Sequence, residues 1–171
     1  MVITEKNSRI DILSIVIGLI GAIITFSGLF VSFPQPYFVF GSLLLLATAI
    51  HYRIYFFVAL EIILISGHSA ILLGIGPMLQ IALPSLLTFQ LLFYYFFSGQ
   101  SGDFATIIGI IGIGLISVGF SIKSQWIFLI GSLFIAIFAY YNLKKTQYIS
   151  ILWLILNLLF ACTALLRLIS S

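Results

Sequence analysis

The sequence predicts an all-α integral membrane protein whose seven transmembrane helices form a parallel 3+1+3 internal repeat. Composition is the first observation behind this. Apolar residues make up 63% of the 171-residue chain and charged residues 6%, with a mean hydropathy of +1.32. A soluble domain of this size could not cover its surface with so few charges. The second observation is a succession of apolar stretches, each bounded by turn residues or charges and each near the ~20 residues that cross a ~30 Å hydrocarbon core. The third is a glycine echo: Gly18, Gly21 and Gly28 match Gly109, Gly112 and Gly119 at a constant offset of 91 (109−18, 112−21, 119−28), and Ile17 and Ile20 match Ile108 and Ile111. A one-residue slip then aligns Gly41-Ser42-Leu43 with Gly131-Ser132-Leu133. The chain is read as one membrane domain, 1–171, with a first three-helix repeat at 12–74, a linker helix at 77–97 and a second repeat at 103–169. Two parallel repeats related by an axis along the membrane normal are a known transporter plan, with the site at the repeat interface near the bilayer midplane.

The expected spans are 12–33, 37–52, 54–74, 77–97, 104–122, 126–143 and 147–169. The first follows Lys6 and Arg9 as a signal peptide would, but it is too long and has no small-x-small cleavage site, so it is read as a retained helix. The second is short, and an interfacial or strongly tilted segment is its alternative. All eight tyrosines (37, 52, 55, 94, 95, 140, 141 and 148) fall within a few residues of span ends, where the ring is buried and the hydroxyl stays wet. Connections are necessarily short, and the sequence leaves no room for a soluble domain.

Orientation follows from the basic residues. A cytoplasmic N-terminus puts Lys6, Arg9, Arg53, Lys144 and Lys145 inside and leaves Lys123 and Arg167 outside. The expected location is the cell (inner) membrane, multi-pass, with the C-terminus outside. These flanking residues account for the net charge of +3, and no basic patch with interleaved aromatics suggests nucleic acid. The single Cys162 lies in an apolar run and reads as a buried, inert thiol.

Polar groups that cannot leave the bilayer supply the candidate site. Glu61 lies within the third span, and His68 is two turns further along nearly the same face, ~10 Å away along the axis. A carboxyl at mid-span should face the bundle interior or a cavity, and this pair could carry a proton during transport. The structural alternative is a hydrogen bond to a neighbouring helix that simply holds the bundle together. In the second repeat, Trp153 and Asn157 stand one turn apart. Trp153 lies too deep for the interfacial belt, and Asn157 cannot leave its amide unpaired in hydrocarbon. An aromatic plate beside an amide suits a sugar or nucleoside ring, whereas packing and helix-to-helix bonding are the plainer reading. The repeat alignment places Ser66 opposite Asn157. Pro34 and Pro36 flank Gln35 at the end of the first span, and Pro77 and Pro84 interrupt the fourth, as candidate kinks or gates. The glycines serve close helix packing and do not form a phosphate loop, since no Lys-Ser/Thr follows them.

The 3+1+3 plan with Phe33-Pro34-Gln35-Pro36 closing the first helix resembles the PQ-loop superfamily, which includes the SWEET sugar transporters, the half-size SemiSWEETs and the PnuC vitamin-precursor transporters. At the equivalent point the second half carries Ser124-Gln125. The resemblance implies a solute held by asparagines and tryptophans around a central cavity, for which Asn157 and Trp153 are the positions similar in kind. The expected function is transport of a small polar solute (sugar, nucleoside or vitamin-precursor type) by alternating access, proton-linked through Glu61. The alternative is a non-transporting membrane subunit or scaffold. Neither catalytic nor metal residues are expected, because an enzyme needs clustered acidic, histidine or cysteine groups and only Glu61 and His68 lie at depth. No cofactor is expected; the expected partners are the solute, the lipid bilayer and a second copy of the chain.

Overall fold

A computed structural model describes residues 12–98, 103–145 and 147–170. Lys6 and Arg9, which helped to orient the chain, lie outside these residues. All described regular structure is helical: α1 (Ile12–Ser27, continued by a 3₁₀ turn at Gly28–Phe30), α2 (Gln35–His51), α3 (Tyr55–Leu72), α4 (Pro77–Phe97), α5 (Phe104–Ile122), α6 (Gln125–Lys144) and α7 (Ile151–Ser170, preceded by a 3₁₀ turn at Tyr148–Ser150). Six of these, counting the 3₁₀ extensions, are long and apolar enough to cross a membrane; α2 is the shorter apolar helix.

The bundle is inverted relative to a soluble protein. Large apolar side chains such as Leu13, Phe40, Met78, Phe89 and Ile169 are exposed, while Ser14, Thr25, Ser42, Thr48, Glu61, His68, Ser132 and Asn157 are buried. An apolar exterior of this extent suits contact with lipid, and interior polar groups then bond to carbonyls of their own helix or of the next one. Thr48 shows both, its hydroxyl lying 3.0 Å from the Leu44 carbonyl and 3.2 Å from that of Ser14 on α1.

Within the first group α2 packs between α1 and α3, and within the second α6 packs between α5 and α7. The groups meet through α1 against α7 and α3 against α5, and α4 packs on α3 and α5. Small residues let the paired helices approach. A methyl on Gly21 would strike Gly41 and Leu45, and one on Gly112 would strike Gly131 and Ile135, positions offset by 90 (131−41, 135−45). Gly18 meets Thr48 where Gly109 meets Phe138, and Gly28 meets Phe38 where Gly119 meets Phe128, again 90 apart (138−48, 128−38). Helix α2 follows α1 from Gly28 back to Ser14. Its 17 residues extend ~25 Å at 1.5 Å per residue.

The third helices correspond with a larger offset. Phe56, Phe57, Leu60, Glu61, Leu64 and His68 are buried on α3; Leu152, Trp153, Leu156, Asn157, Phe160 and Ala164 are buried on α7, each 96 further on (153−57, 157−61). Six residues are therefore added ahead of the matching positions of α7 (96−90): three lengthen α6, which has 20 residues against 17 in α2, and three lengthen the connection, which includes the Tyr148–Ser150 turn.

Two expectations about prolines change. Pro34 is the N-cap of α2, and Pro36 lies in its first turn, so the Pro-Gln-Pro segment opens α2; α1 and its 3₁₀ turn have already ended at Phe30. Pro77 likewise opens α4, and only Pro84 lies inside that helix. A first turn has no use for the missing N–H. Inside α4, Pro84 cannot donate to the Gln80 carbonyl, and the Ser121 hydroxyl of α5 donates to it instead, at 3.0 Å.

Candidate functional site

Glu61, Trp153 and Asn157 come together where the two three-helix groups meet. The indole Nε1 of Trp153 donates to Glu61 Oε1 at 2.8 Å. Asn157 Nδ2 donates to the Trp153 carbonyl at 2.9 Å, so the amide turns back onto its own helix and braces it. Ser42 lies beside the Glu61 carboxyl. Oε2 of Glu61 is buried and meets no hydrogen-bond partner among the described residues. These groups, with Thr25, Leu60 and Phe160 among others, line a void of about 10 Å³, close to the lower limit for one water molecule.

Aromatic side chains close this polar pocket on both sides. On one side the Phe57 and Trp153 rings stack with centroids 4.3 Å apart and planes 6° from parallel, and Phe138 packs on Phe56 and Phe57. On the other, Phe128 lies 5.5 Å from Phe160 and 4.6 Å from Phe120, which in turn lies 4.8 Å from Phe38. Beyond each aromatic layer is a larger recess. One, of about 560 Å³, is lined by Pro34, Gln35, His68, Lys123, Gln125 and Arg167 among others. The second, of about 510 Å³, lies at the opposite end and is lined by Arg53, Tyr55, Asp103, Tyr141, Lys145 and neighbours.

His68 is buried but belongs to the first recess, at its floor, and not to the Glu61 pocket. Its ring stacks on Phe38 at 4.6 Å and meets Phe120 edge-on at 4.5 Å. Pro34 and Gln35 line the rim of the same recess. Ser66 lines no cavity among those described; its hydroxyl donates to the Ile63 carbonyl on its own helix at 2.7 Å. Where the sequence alignment put Ser66 opposite Asn157, the matching burial pattern puts Glu61 there, because the six residues added by the longer α6 and the longer connection after it shift the register. Pro84 packs against Gly67 of α3, and Pro77 stands at the end of α4; neither reaches the Glu61 pocket. Cys162 is exposed on the outer face of α7, contrary to the expected burial.

At the second recess, Asp103 accepts a hydrogen bond from Lys145 Nζ at 2.8 Å and another from the Tyr141 hydroxyl. The Lys145 ammonium is the main reason that the Asp103 carboxyl is held below the usual carboxylate range, with Tyr141 adding to it. The same bond raises Lys145 above its ordinary value. No group of three or more histidine, cysteine or acidic side chains able to hold a metal occurs among the described residues.

Sequence reasoning missed the aromatic layers and Ser42. Phe57 could have been found by asking which residue matches Trp153 as a large ring one turn before the buried polar position on each third helix. Comparison of the chain with family models, with curated proteins and with solved structures gives no match.

Proposed function

We propose that this protein is a membrane transporter for a small polar solute, working by alternating access between two three-helix repeats joined by α4. The observation that carries this reading is a polar pocket, Glu61 with Asn157, Ser42 and Thr25, sealed between two aromatic layers with a recess beyond each. A purely structural polar cluster needs no recesses leading toward it from both ends. A void of about 10 Å³ admits no organic solute, so the closed arrangement corresponds to an occluded state. Parting the Phe57–Trp153 layer or the Phe38–Phe120–Phe128 layer would open the pocket to one end at a time.

The 90-residue offset of the α1–α2 and α5–α6 contacts, and the reciprocal packing of α1 on α7 and α3 on α5, support the 3+1+3 repeat with α2 as a seventh span. The layout resembles that of the PQ-loop superfamily, with a sugar, nucleoside or vitamin precursor as solute. The basic residues favour a cytoplasmic N-terminus in the cell membrane, which puts the Lys123 recess outside. Glu61, the one buried acid among the described residues, is the group to bind a coupling proton.

Reconstitution into liposomes tests this. The purified protein is first screened for thermal stabilisation by sugars, nucleosides, vitamins and amino acids, and uptake of the stabilising compound is then measured with and without a pH gradient. Glu61→Gln should abolish the response to the gradient, and Asn157→Ala should lower uptake while the protein still elutes as one species. Unchanged uptake in both variants would exclude the pocket. A scaffold predicts no stabilising solute at all.

A further inference from the structure

The Lys123 recess has features that the polar pocket does not require. Its two charged lining residues are both cations, Lys123 and Arg167, and no aspartate or glutamate lines it. Neither cation is ion-paired among the described residues; Arg167 donates instead to the Leu29 carbonyl. Helices α2 and α6 both begin at its wall, at Gln35 and Gln125, and neither start is capped by a side-chain hydrogen bond. Free N–H groups and the aligned peptide dipoles give a helix start about half a positive charge; at α2 Pro34 and Pro36 carry no N–H, so Gln35 and Tyr37 supply its first-turn amides. At the floor lies His68, only 4% exposed, lining both this recess and the small void behind it. Its contacts are to the rings of Phe38 and Phe120, and neither ring nitrogen meets a hydrogen-bond partner among the described residues.

We infer that this recess is a binding site for a phosphate group, held by Lys123, Arg167 and the starts of α2 and α6, with His68 as a donor at its floor. Two full charges and two helix starts amount to roughly three positive charges, which favours a group carrying up to two negative charges over a carboxylate. Helix starts bind phosphate through their unpaired amides, and a guanidinium adds a planar donor pair. The recess, at about 560 Å³, takes a phosphate together with part of whatever carries it. That carrier is a free phosphate or phosphorylated solute, or a phospholipid headgroup, since the recess opens at the end of the membrane-spanning helices. The site stands apart from the Glu61 pocket, and its test does not depend on transport.

The full chain, purified in a neutral detergent without lipid, is melted against increasing inorganic phosphate, with chloride at matched ionic strength as control. A parallel series adds phosphatidylglycerol or phosphatidylcholine to the micelles. Lys123 has left-handed backbone (φ 56°), which asparagine tolerates, so the test variant is Lys123→Asn with Arg167→Gln. Saturable stabilisation of the wild type by phosphate, with the half-saturating concentration raised roughly tenfold or more in the variant, establishes the site with a soluble occupant. Stabilisation by phosphatidylglycerol alone, lost in the variant, establishes it with a lipid occupant. Lys123→Arg should keep either response. If the double variant does not fold, Lys123→Asn on its exposed turn carries the same comparison. A wild type indifferent to both probes, or a variant that responds as the wild type does, overturns the inference.

Discussion

Gly41 offers the sharpest test of how the helices are held. A methyl placed there would lie 2.0 Å from Thr25 Oγ1 and 2.8 Å from both the Gly21 carbonyl oxygen and the Thr25 nitrogen. The threonine hydroxyl could rotate away, losing its 2.8 Å bond to the Gly21 carbonyl. The two backbone atoms cannot. Reaching ordinary contact at 3.4 Å requires α1 and α2 to part by ~0.6 Å (3.4−2.8), loosening the adjoining Gly21–Leu45 contact. Overpacking of this kind costs about 1–3 kcal/mol, against a gain of up to ~1 kcal/mol from replacing glycine by alanine in a helix. Gly41→Ala should therefore destabilise by up to about 2 kcal/mol net, a factor of up to roughly 30 in the folding equilibrium. Gly131→Ala should behave alike, since its methyl would lie 2.6 Å from the Ile116 nitrogen. Gly67→Ala is the control: its nearest neighbour is Pro84 Cγ at 3.6 Å, so the helix gain remains and stability should hold or rise. Unfolding of the three variants by denaturant in detergent, followed by circular dichroism, gives the ranking. Gly41→Ala as stable as Gly67→Ala would refute the close packing of α1 on α2.

Three further outcomes are expected. Trp153→Phe keeps a ring against Phe57 but removes the indole donor to Glu61 Oε1; a loss of about 1–3 kcal/mol should appear in the same unfolding assay, and a variant as stable as the wild type would contradict the Trp153–Glu61 bond. Ser121→Ala should cost about 1 kcal/mol or more by orphaning the Gln80 carbonyl. In a Pro84→Ala background, where the restored N–H serves that carbonyl, the same change should cost less; equal costs in a double-mutant cycle would show that Ser121 does not compensate for the proline. Asp103 titrates below its ordinary 3.8 when folded, so its contribution is fully present above the unfolded value and is lost as pH falls through the lower folded one. Lys145 is raised above 10.5, so its share is present below that value and lost as pH rises through the higher folded one. Stability measured against pH should carry both edges in the wild type and neither in Asp103→Asn, and the effect should fade with salt.

The all-helical class with several apolar helices of membrane-spanning length, the helix positions to within a few residues and the close contacts of the glycines were legible because they depend on local composition and on spacing within one helix. Glu61, Trp153 and Asn157 also stood out, since each is a polar or amphipathic side chain stranded at depth. What could not be read was how the third helices line up across the molecule. The Gly18–Gly109 offset holds only until a connection changes length, and the six residues added before α7 leave no mark in hydropathy. That is why Ser66 was matched with Asn157 although Glu61 holds the equivalent buried position. The prolines were misplaced for a related reason: Pro34 and Pro77 sit at boundaries, and hydropathy cannot tell the end of one helix from the start of the next. Arg53 and Lys123 adopt left-handed backbone without the glycine that would have announced a tight turn.

Placing Glu61 opposite Asn157 bears on ion stoichiometry. Had two identical three-helix chains associated around a true two-fold axis, a carboxyl in one would face a carboxyl in the other across a space of about 10 Å³, and the pair would share or exchange protons as coupled sites. A single chain lets the two positions differ, here a carboxyl against an amide that cannot ionise. Only one of the two can change its charge, so under the proposed transport function the pocket would carry at most one elementary charge through each cycle, and a membrane potential acting on that step would have one charge on which to work.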